Sequence, residues 1–323
     1  MFSFQQLQDK FADSFGQVHF PSLPVSLYEP ARYMLSIKGK RIRPVLCLMG
    51  NDLFDNIGED SFRVAAAIEL FHNFTLIHDD ILDKAPLRRG VPTVHTRFNL
   101  PSALLAGDSM LIHAYELINR IDKIYLSRIL SIFNKTAIKV CEGQQLDMDF
   151  EQMEADNIPM SGYLEMIELK TSVLLAASLK MGAIMGGASE RNANHLYEFG
   201  KYIGMAFQVQ DDLLDAFGDP RKFGKQHGGD ILTGKKTFLL LKALELCNPG
   251  QKHALLSLMK TDLPDRLEKV MQIYASCEID KWASREKERF ADIALANLDQ
   301  VAVLSARKHY LLELASILLD RQA

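Results

Sequence analysis

The placement of proline constrains the fold of this chain more than any other feature of the sequence. No proline lies between Pro101 and Pro159, between Pro159 and Pro220, or after Pro264. Because proline breaks helix interiors, helices can run long in these stretches. Alternating β-branched runs bounded by turn residues are almost absent. We therefore predict an all-α fold, and without a visible linker we assign residues 1–323 to a single domain.

Two stretches show the apolar spacing of a helix, residues 58–84 and residues 196–217, and each is predicted to form one long helix. The last fifty residues are predicted to form packing helices with a solvated face. Unusual polar residues gather between the periodic segments, where loops commonly carry function. The predicted loops are residues 38–44, 85–97 and 219–236.

Composition excludes several classes of protein. The chain carries 37 basic and 41 acidic residues, a formal net charge of −4, which gives no global basic surface for a nucleic acid. No window reaches the about 20 uncharged apolar residues that a membrane span needs, and no export or import signal is visible at the amino terminus. The cysteines are scattered without CxxC spacing. We therefore expect a soluble, cytoplasmic protein in a reducing compartment, with no nucleic-acid partner and no membrane span.

The same acidic pattern, DDxxD, occurs once in each predicted long helix. Its carboxylates are Asp79, Asp80 and Asp83 in the first helix and Asp211, Asp212 and Asp215 in the second. Helical residues four apart share a face, so the outer carboxylates of each motif repel one another unless water or a cation neutralises them. Oxygen donors without sulfur suit magnesium or manganese, and magnesium commonly takes its other ligands from phosphates. One copy alone is more typical of a solvated helix face than of a metal site, but two copies in apolar surroundings predict a metal-bound diphosphate.

Basic residues that could contact phosphates lie near both motifs. Three cations fall within residues 39–44, and Arg88 and Arg89 follow the first motif directly. Guanidinium groups pair with phosphate oxygens in bidentate fashion. His72 lies two helical turns before Asp79, about 10 Å along the axis, where it could contact a second phosphate group or pack as a core histidine. Further candidates near the second motif are Lys170, Lys225 and Lys235, with Thr171 and Gln208 as polar neighbours.

Taken together, the motifs resemble those of the trans-isoprenyl diphosphate synthases, the farnesyl and geranylgeranyl diphosphate synthase family. The matching segments are GKRIRP, FHNFTLIHDDILD, LRRGVPTVH, GDSML, LKTS, FQVQDDLLD and GKQHGGD…GKKT, in order across about residues 30 to 240. The resemblance implies a helical bundle around a central cavity, a homodimer, and a short-chain prenyltransferase. Its substrates would be isopentenyl diphosphate and an allylic diphosphate, either dimethylallyl, geranyl or farnesyl.

The resemblance also implies roles for individual residues. Both aspartate motifs would hold about three magnesium ions, with manganese as an alternative, on the allylic diphosphate. The residues implied to bind that diphosphate are Arg88, Lys170 and Lys225, and Lys235 falls in place beside them. The residues implied to bind isopentenyl diphosphate are Gly39, Lys40, Arg43, His72 and Arg89. Thr171 and Gln208 match polar groups near the reacting carbons, so the catalytic set is Lys170, Thr171, Gln208 and Lys225.

The sequence departs from the family motifs at two positions, and two aromatic residues bear on the length of the product. Lys38 stands where the family usually has a glycine, and the proline often found after Lys235 is absent. Phe74 and Phe71 lie five and eight residues before Asp79, where a growing chain would meet them. A bulky aromatic at the fifth position resembles short-product enzymes, so we expect a fifteen- or twenty-carbon product. Plain core packing is the alternative for both rings.

Three other functions fit parts of the pattern. A terpene cyclase also ionises allylic diphosphates but needs no second diphosphate site, so the GKRIRP segment, His72 and Arg89 argue against it. A non-catalytic subunit of a heteromeric synthase would be expected to have lost carboxylates, and this chain keeps both motifs. A ferritin-like metal carrier needs paired Glu-x-x-His motifs, of which Glu69 with His72 gives only one.

Overall fold

The computed structural model describes residues 1–16, 20–218, 228–261 and 263–319. Its first ten α-helices are α1 (Phe4–Phe15), α2 (Val25–Ser36), α3 (Ile42–Asp52), α4 (Glu59–Leu82), α5 (Val94–Arg97), α6 (Leu100–Asn119), α7 (Lys123–Gln152), α8 (Met160–Ile167), α9 (Val173–Met185) and α10 (Glu190–Phe217). Six more follow, α11 (Gly229–Thr233), α12 (Phe238–Leu246), α13 (Pro249–Lys260), α14 (Arg266–Ser276), α15 (Ile279–Gln300) and α16 (Ser305–Leu319).

The remaining regular structure is short. Strands β1 (Leu87–Arg88) and β2 (Val91–Pro92) pair as an antiparallel hairpin, Ala155–Asn157 form a 3₁₀ turn, and Glu168–Ser172 form a π-helical segment between α8 and α9. The predicted all-α fold is confirmed. Within the described ranges, no helix is long and apolar enough to cross a membrane.

Both predicted long helices are present, and the predicted loops need correction. The second long helix, α10, begins at Glu190 rather than at residue 196. Pro44 lies in the first turn of α3, so the loop predicted over residues 38–44 ends at Arg41. A proline fits there because the first helical N–H groups have no partner within the helix. Residues 85–97 contain the hairpin and α5, and 228–236 contain α11, whereas 219–227 lie outside the described residues.

The chain divides into two compact units. The first unit comprises Met1–Lys135, Ala177–Tyr197 and Val301–Tyr310, and the second comprises Thr136–Ala176, Glu198–Gln300 and Leu311–Ala323. The two acidic motifs therefore belong to different units.

Helix α4 is the central helix of the first unit. Helices α6 and α3 pack against it, and its middle turns, residues 64–71, are buried all round. Because small alanines occupy positions 65–67, these neighbours can approach closely. This packing fixes the carboxyl end of α4, where the first acidic motif lies.

Helix α12 has the corresponding role in the second unit. Phe238, Leu239, Leu240 and Leu241 are all buried, and the Phe238 ring stacks on Trp282 of α15 with centroids 4.8 Å apart. The run FLLL has no polar face because this helix is surrounded by other helices. The amino end of α12 is thereby held beside the second acidic motif.

Candidate active site

The first acidic motif occupies the last turn of α4, and an arginine from the hairpin is paired with it. Arg88 donates to both carboxylate oxygens of Asp80, from Nε at 2.8 Å and from Nη2 at 2.7 Å, and its Nη2 lies 3.5 Å from Asp79. Burial by itself would lower the pKa of Arg88, but the hydrogen-bonded carboxylate of Asp80 outweighs it and raises the pKa. Asp80 is 2% exposed, whereas Asp79 is half-buried and Asp83 is exposed. The middle carboxylate therefore holds Arg88, whereas of the two outer ones only that of Asp83 is exposed, since Oδ1 of Asp79 is buried.

Arg89, the residue after Arg88, lies in the tight turn of the hairpin. Arg89 and Gly90 have φ values of 53° and 80°, as a type I′ turn requires at both central residues. Arg89 donates from Nη1 to the Lys38 carbonyl at 2.7 Å. A Cβ placed on Gly39 would lie 2.3 Å from that same nitrogen, so glycine is needed at position 39 for the guanidinium to pack there.

The residues predicted for isopentenyl diphosphate come together in one pocket of the first unit. Its lining residues are Gly39, Lys40, Arg41, Ile42, Arg43, Glu69, His72, Asn73, Leu76 and Arg89. We call this the basic pocket. All five predicted residues are among them, contributed by the segment before α3, the first turn of α3, the middle of α4 and the hairpin turn.

Arg43 and His72 form the inner wall of the basic pocket. Arg43 Nη1 lies 3.1 Å from His72 Nε2, and because a guanidinium only donates, Nε2 accepts and the imidazole is neutral. Burial and then the charge of Arg43 hold the pKa of His72 well below its usual value. Burial also lowers the pKa of Arg43 to about 10, and its buried Nε has no hydrogen-bond partner among the residues that the structure describes. An anion with several acceptor oxygens would satisfy this donor and stabilise the charge.

The sequence did not predict that Glu69 and Asn73 support the pocket. The Glu69 carboxylate, 2% exposed, pairs with Arg41 and accepts from Asn73 Nδ2 at 2.7 Å. Arg41 also donates to the Leu35 carbonyl at 2.7 Å. Glu69 thus fixes the guanidinium of Arg41 in the pocket. His72 has a different partner, Arg43. The Glu-x-x-His spacing in α4 is therefore not a metal pair in this structure.

The lysine at position 38 does not disturb the turn. Lys38 does not adopt the left-handed φ that would favour glycine, and its side chain is exposed. The contact it makes to Arg89 uses the backbone carbonyl, which every residue type provides. The departure from the family pattern is therefore neutral for the geometry of the pocket.

In the second acidic motif, on α10, the middle aspartate is again the buried one. Asp212 is 4% exposed and accepts from Gln208 Nε2 at 3.1 Å and from the Phe238 N–H of α12 at 3.2 Å. Burial, and next the charge of Asp230, raise the pKa of Asp212 to about 7. Asp211 and Asp215 are half-buried, and Asp215 accepts from the Asp230 N–H at 3.0 Å.

Lys170 and Thr171 lie in the π-helical segment. Such single-turn segments are frequent at functional sites because they redirect side chains out of the α-helical pattern. Lys170 Nζ pairs with Asp147 of α7 at 2.6 Å. A Cβ on Gly143 would lie 2.3 Å from the Lys170 backbone nitrogen, so α7 approaches this segment at a glycine. Asp147 was not predicted from the sequence, since nothing in the local pattern links residues 23 positions apart.

The adjacent lysines 235 and 236 have different surroundings. Lys235 is exposed, and its Nζ lies 3.7 Å from the carboxylate of Asp230. Desolvation by itself would lower the pKa of Lys235, but the charges of Asp230 and other carboxylates outweigh desolvation and raise this pKa. Lys236 donates to the carbonyls of Phe150, Glu151 and Met153 at 2.6–2.8 Å. Lys236 therefore caps the carboxyl end of α7, and Lys235 is the one available to a ligand. Lys225 lies outside the described residues.

The two aromatic candidates for chain length differ in burial. Phe71 is 1% exposed and packs edge-on against Phe133 of α7, with centroids 5.3 Å apart. Phe74 is half-buried, with its ring 4.6 Å from that of His78 and beside Gly107 of α6. Phe71 is thus a core residue, and Phe74 is the ring of the two with an open side.

The donor chemistry of the acidic motifs fits magnesium. Within the described ranges, no group of three or more His, Cys, Asp and Glu side chains could hold a metal ion by itself. Magnesium does not need such a cage, because it keeps several waters and completes its shell with phosphate oxygens. Asp79 with Asp83, and Asp211 with Asp215, offer pairs of carboxylates one helical turn apart, and none of the four residues is fully buried.

Comparison with known proteins agrees with this geometry. The family model for polyprenyl synthetase matches residues 24–277. A geranylgeranyl pyrophosphate synthase of Geoglobus acetivorans is 38% identical over 304 residues, covering 92% of each chain. A geranylgeranyl diphosphate synthase of Methanosarcina mazei is 41% identical over 224 residues, covering 69% of this chain and 68% of the other. A crystal structure of a geranylgeranyl pyrophosphate synthase aligns with a TM-score of 0.94 at 37% identity, covering 100% of both chains.

Metal dependence is general in this family, and its members transfer prenyl groups to isoprenoid diphosphates. Both the fold and the residues of the motifs agree with that activity. The chain therefore belongs to the polyprenyl synthetase family and is a prenyltransferase.

Proposed function

We propose that this enzyme condenses isopentenyl diphosphate with an allylic diphosphate and releases geranylgeranyl diphosphate. The observation that carries the proposal is the basic pocket. A terpene cyclase has one diphosphate to bind, whereas this chain has a cationic pocket about 10 Å along α4 from the first acidic motif. The twenty-carbon product is favoured over the fifteen-carbon one because the relatives described above are named for it.

In the basic pocket, Arg43, Lys40 and Arg89 bind the diphosphate of isopentenyl diphosphate. Neutral His72 keeps the Arg43 guanidinium oriented through its Nε2, and Glu69 does the same for Arg41. These cations stabilise the charge of a substrate that keeps its diphosphate throughout the reaction.

The acidic motifs bind about three magnesium ions on the allylic diphosphate, through Asp79, Asp83, Asp211 and Asp215. When bound, magnesium stabilises the negative charge that develops on the departing diphosphate. Arg88, Lys170 and Lys235 add cations for the same group, with Lys225 predicted beside them. Metal contact stays a prediction for Asp80 and Asp212, whose oxygens are hydrogen-bonded within their own units.

Condensation follows from this placement of charge. The bond between the allylic carbon and its diphosphate oxygen breaks, the double bond of isopentenyl diphosphate attacks that carbon, and one proton leaves the new chain for the released diphosphate. The protein supplies no nucleophile. Thr171 and Gln208 lie near the reacting carbons, and the apolar lining around Phe74 excludes water from the cation.

We infer from the family resemblance that the enzyme acts as a homodimer in the cytoplasm. In the first unit, α6 leaves Leu105 and Ile112 exposed, at 58% and 61%, on one helix face. In the proposed dimer, a second copy of the chain would cover these two side chains. Sedimentation of the purified protein tests the proposed homodimer, and a monomer at the concentration of the enzyme assay would contradict it.

The experiment for the proposed function uses radiolabelled isopentenyl diphosphate with dimethylallyl, geranyl or farnesyl diphosphate, with magnesium or with a chelator. We expect label in geranylgeraniol after phosphatase treatment, only with magnesium. Asp79→Ala and Asp211→Ala should each lower the rate by several orders of magnitude in a folded protein. Cyclic hydrocarbons without consumption of isopentenyl diphosphate, or full activity with chelator, would refute the proposal.

A further inference from the structure

Two cysteines that are far apart in sequence meet in the second unit. The Sγ atoms of Cys247 and Cys277 lie 3.3 Å apart, although the residues are separated by 30 positions. Both are free thiols and both are half-buried. Neither belongs to the diphosphate sites described above. Scattered positions in the sequence gave no indication of this pair.

The backbone around both thiols is fixed by its own contacts. Cys247 directly follows the last residue of α12 and Cys277 directly follows that of α14, so each lies at a helix carboxyl terminus. Helix α12 is held at its other end by the hydrogen bond from Phe238 to Asp212. Helix α14 is held at its start by Arg266, which donates to the Met259 carbonyl at 3.0 Å. The two sulfurs therefore face each other because of the fold, not because of a flexible loop.

We propose that Cys247 and Cys277 form an intramolecular disulfide by exchange with a small-molecule disulfide, and that this bond stabilises the second unit. A disulfide needs its sulfurs about 2.05 Å apart, so the observed pair must close by little more than about 1 Å. We expect rotation about the side-chain bonds of the two cysteines to supply this movement.

The small-molecule disulfide is the oxidant in this exchange. One cysteine thiolate attacks a sulfur of the small-molecule disulfide and releases the first reduced thiol. The second cysteine then attacks the mixed disulfide, which forms the Cys247–Cys277 bond and releases the second reduced thiol. The protein loses two protons and two electrons, and the reagent takes up both pairs.

The surroundings make this exchange slow at neutral pH. Burial, and next the neighbouring thiol of Cys277, raise the pKa of Cys247 to about 12. The thiolate is the attacking species, and the negative end of a helix dipole disfavours it. Ring closure should therefore accelerate with pH.

The bond would stabilise the fold by constraining the unfolded chain. It closes a loop of about 30 residues that contains all of α13. Loops of this length give a substantial entropic effect, which we expect to appear as a rise in Tm of about 5 °C.

The test uses the full-length enzyme with Cys141→Ala, which removes the exposed thiol that would otherwise take up reagent. Cys47 is fully buried and stays as an unreactive internal reference. The protein is incubated with oxidised glutathione at about pH 8.5, then examined by intact mass, peptide mapping and thermal unfolding. The matched control carries Cys141→Ala and Cys277→Ser, and a second control carries Cys247→Ser in place of Cys277→Ser.

We expect the test protein to lose two hydrogens, to yield a Cys247–Cys277 peptide, and to unfold about 5 °C higher than its reduced form, reversibly with dithiothreitol. Both controls should lack the crosslink and the rise in Tm. Persistent glutathione on either cysteine of the test protein would overturn the proposal. So would an unreacted pair under conditions that oxidise the denatured chain, or a crosslink without a rise in Tm.

Discussion

Gly39→Ala is the substitution through which the geometry of the basic pocket can be examined most finely. A Cβ at position 39 would lie 2.3 Å from Arg89 Nη1, far inside the ordinary contact distance of about 3.5 Å. The atom in conflict is the end of a flexible side chain, so the guanidinium moves away and the fold adjusts. The hydrogen bond from Arg89 to the Lys38 carbonyl is lost at the same time.

The magnitude follows from the contact that the moved arginine no longer makes with the substrate. A hydrogen bond to a charged group contributes about 1.5–3 kcal/mol, and Arg89 is exposed, so the lower end of that range applies. We therefore expect the KM for isopentenyl diphosphate to rise about tenfold, since about 1.4 kcal/mol corresponds to one factor of ten. The KM for the allylic substrate and the free energy of unfolding should change little.

The matched control is Gly58→Ala, because a Cβ at Gly58 meets nothing within 4 Å and its φ is −92°. Steady-state kinetics with each substrate varied in turn give the two KM values. In an Arg89→Ala background, Gly39→Ala should have no further effect on isopentenyl diphosphate, since both changes remove the same contact. An unchanged KM in Gly39→Ala, or additive effects in the double variant, would show that Arg89 does not bind isopentenyl diphosphate from the position beside Gly39.

Three further predictions concern product length, pH and positioning. Phe74→Ala should shift products toward longer prenyl chains on chromatography, whereas Phe71→Ala should lower stability by about 3–5 kcal/mol without that shift; the same products from both would contradict this. The lowered pKa of His72 keeps its imidazole neutral in the folded protein, so protonation below about pH 6.5 favours the unfolded chain. Urea unfolding at pH 7.5 and at pH 5.5 measures this effect. Between these two pH values, the free energy of unfolding should fall by about 1 kcal/mol more in wild type than in His72→Gln. Equal losses would argue against a neutral imidazole. Asp147→Asn should raise the allylic KM about tenfold by releasing the lysine of the π-helical segment, whereas the exposed carboxylate change Asp149→Asn should leave it unchanged.

Sequence patterns predicted the helices and the residue types of the site because both are local. Periodicity placed α4 and α10, and the spacing within DDxxD placed its outer carboxylates on one helix face. The pattern did not show that the middle aspartate of each motif is buried. That difference depends on which neighbour packs at the side of the helix, Arg88 for one motif and the start of α12 for the other.

Ion pairs between residues distant in sequence could not be predicted either, because they too depend on how the helices pack. Glu69 with Arg41, and Asp147 with Lys170, are brought together by packing of helices, and neither pair has a local signature. The two adjacent lysines of GKKT look equivalent in sequence. Their roles differ because Lys236 contacts the end of α7, and this contact is visible in the structure alone. Likewise, the limit between the two compact units at residues 135 and 136 falls inside a helix, where no change of composition marks it.

The central claim is that the basic pocket binds isopentenyl diphosphate separately from the allylic diphosphate. The most direct measurement is the pair of KM values for Arg43→Gln, a change that keeps most of the side-chain volume but removes the buried charge. Its folded state is verified by thermal unfolding. We expect the KM for isopentenyl diphosphate to rise at least tenfold while the allylic KM stays within about threefold of wild type. A variant whose main defect lies in the allylic KM would show that the basic pocket is not a separate site for isopentenyl diphosphate.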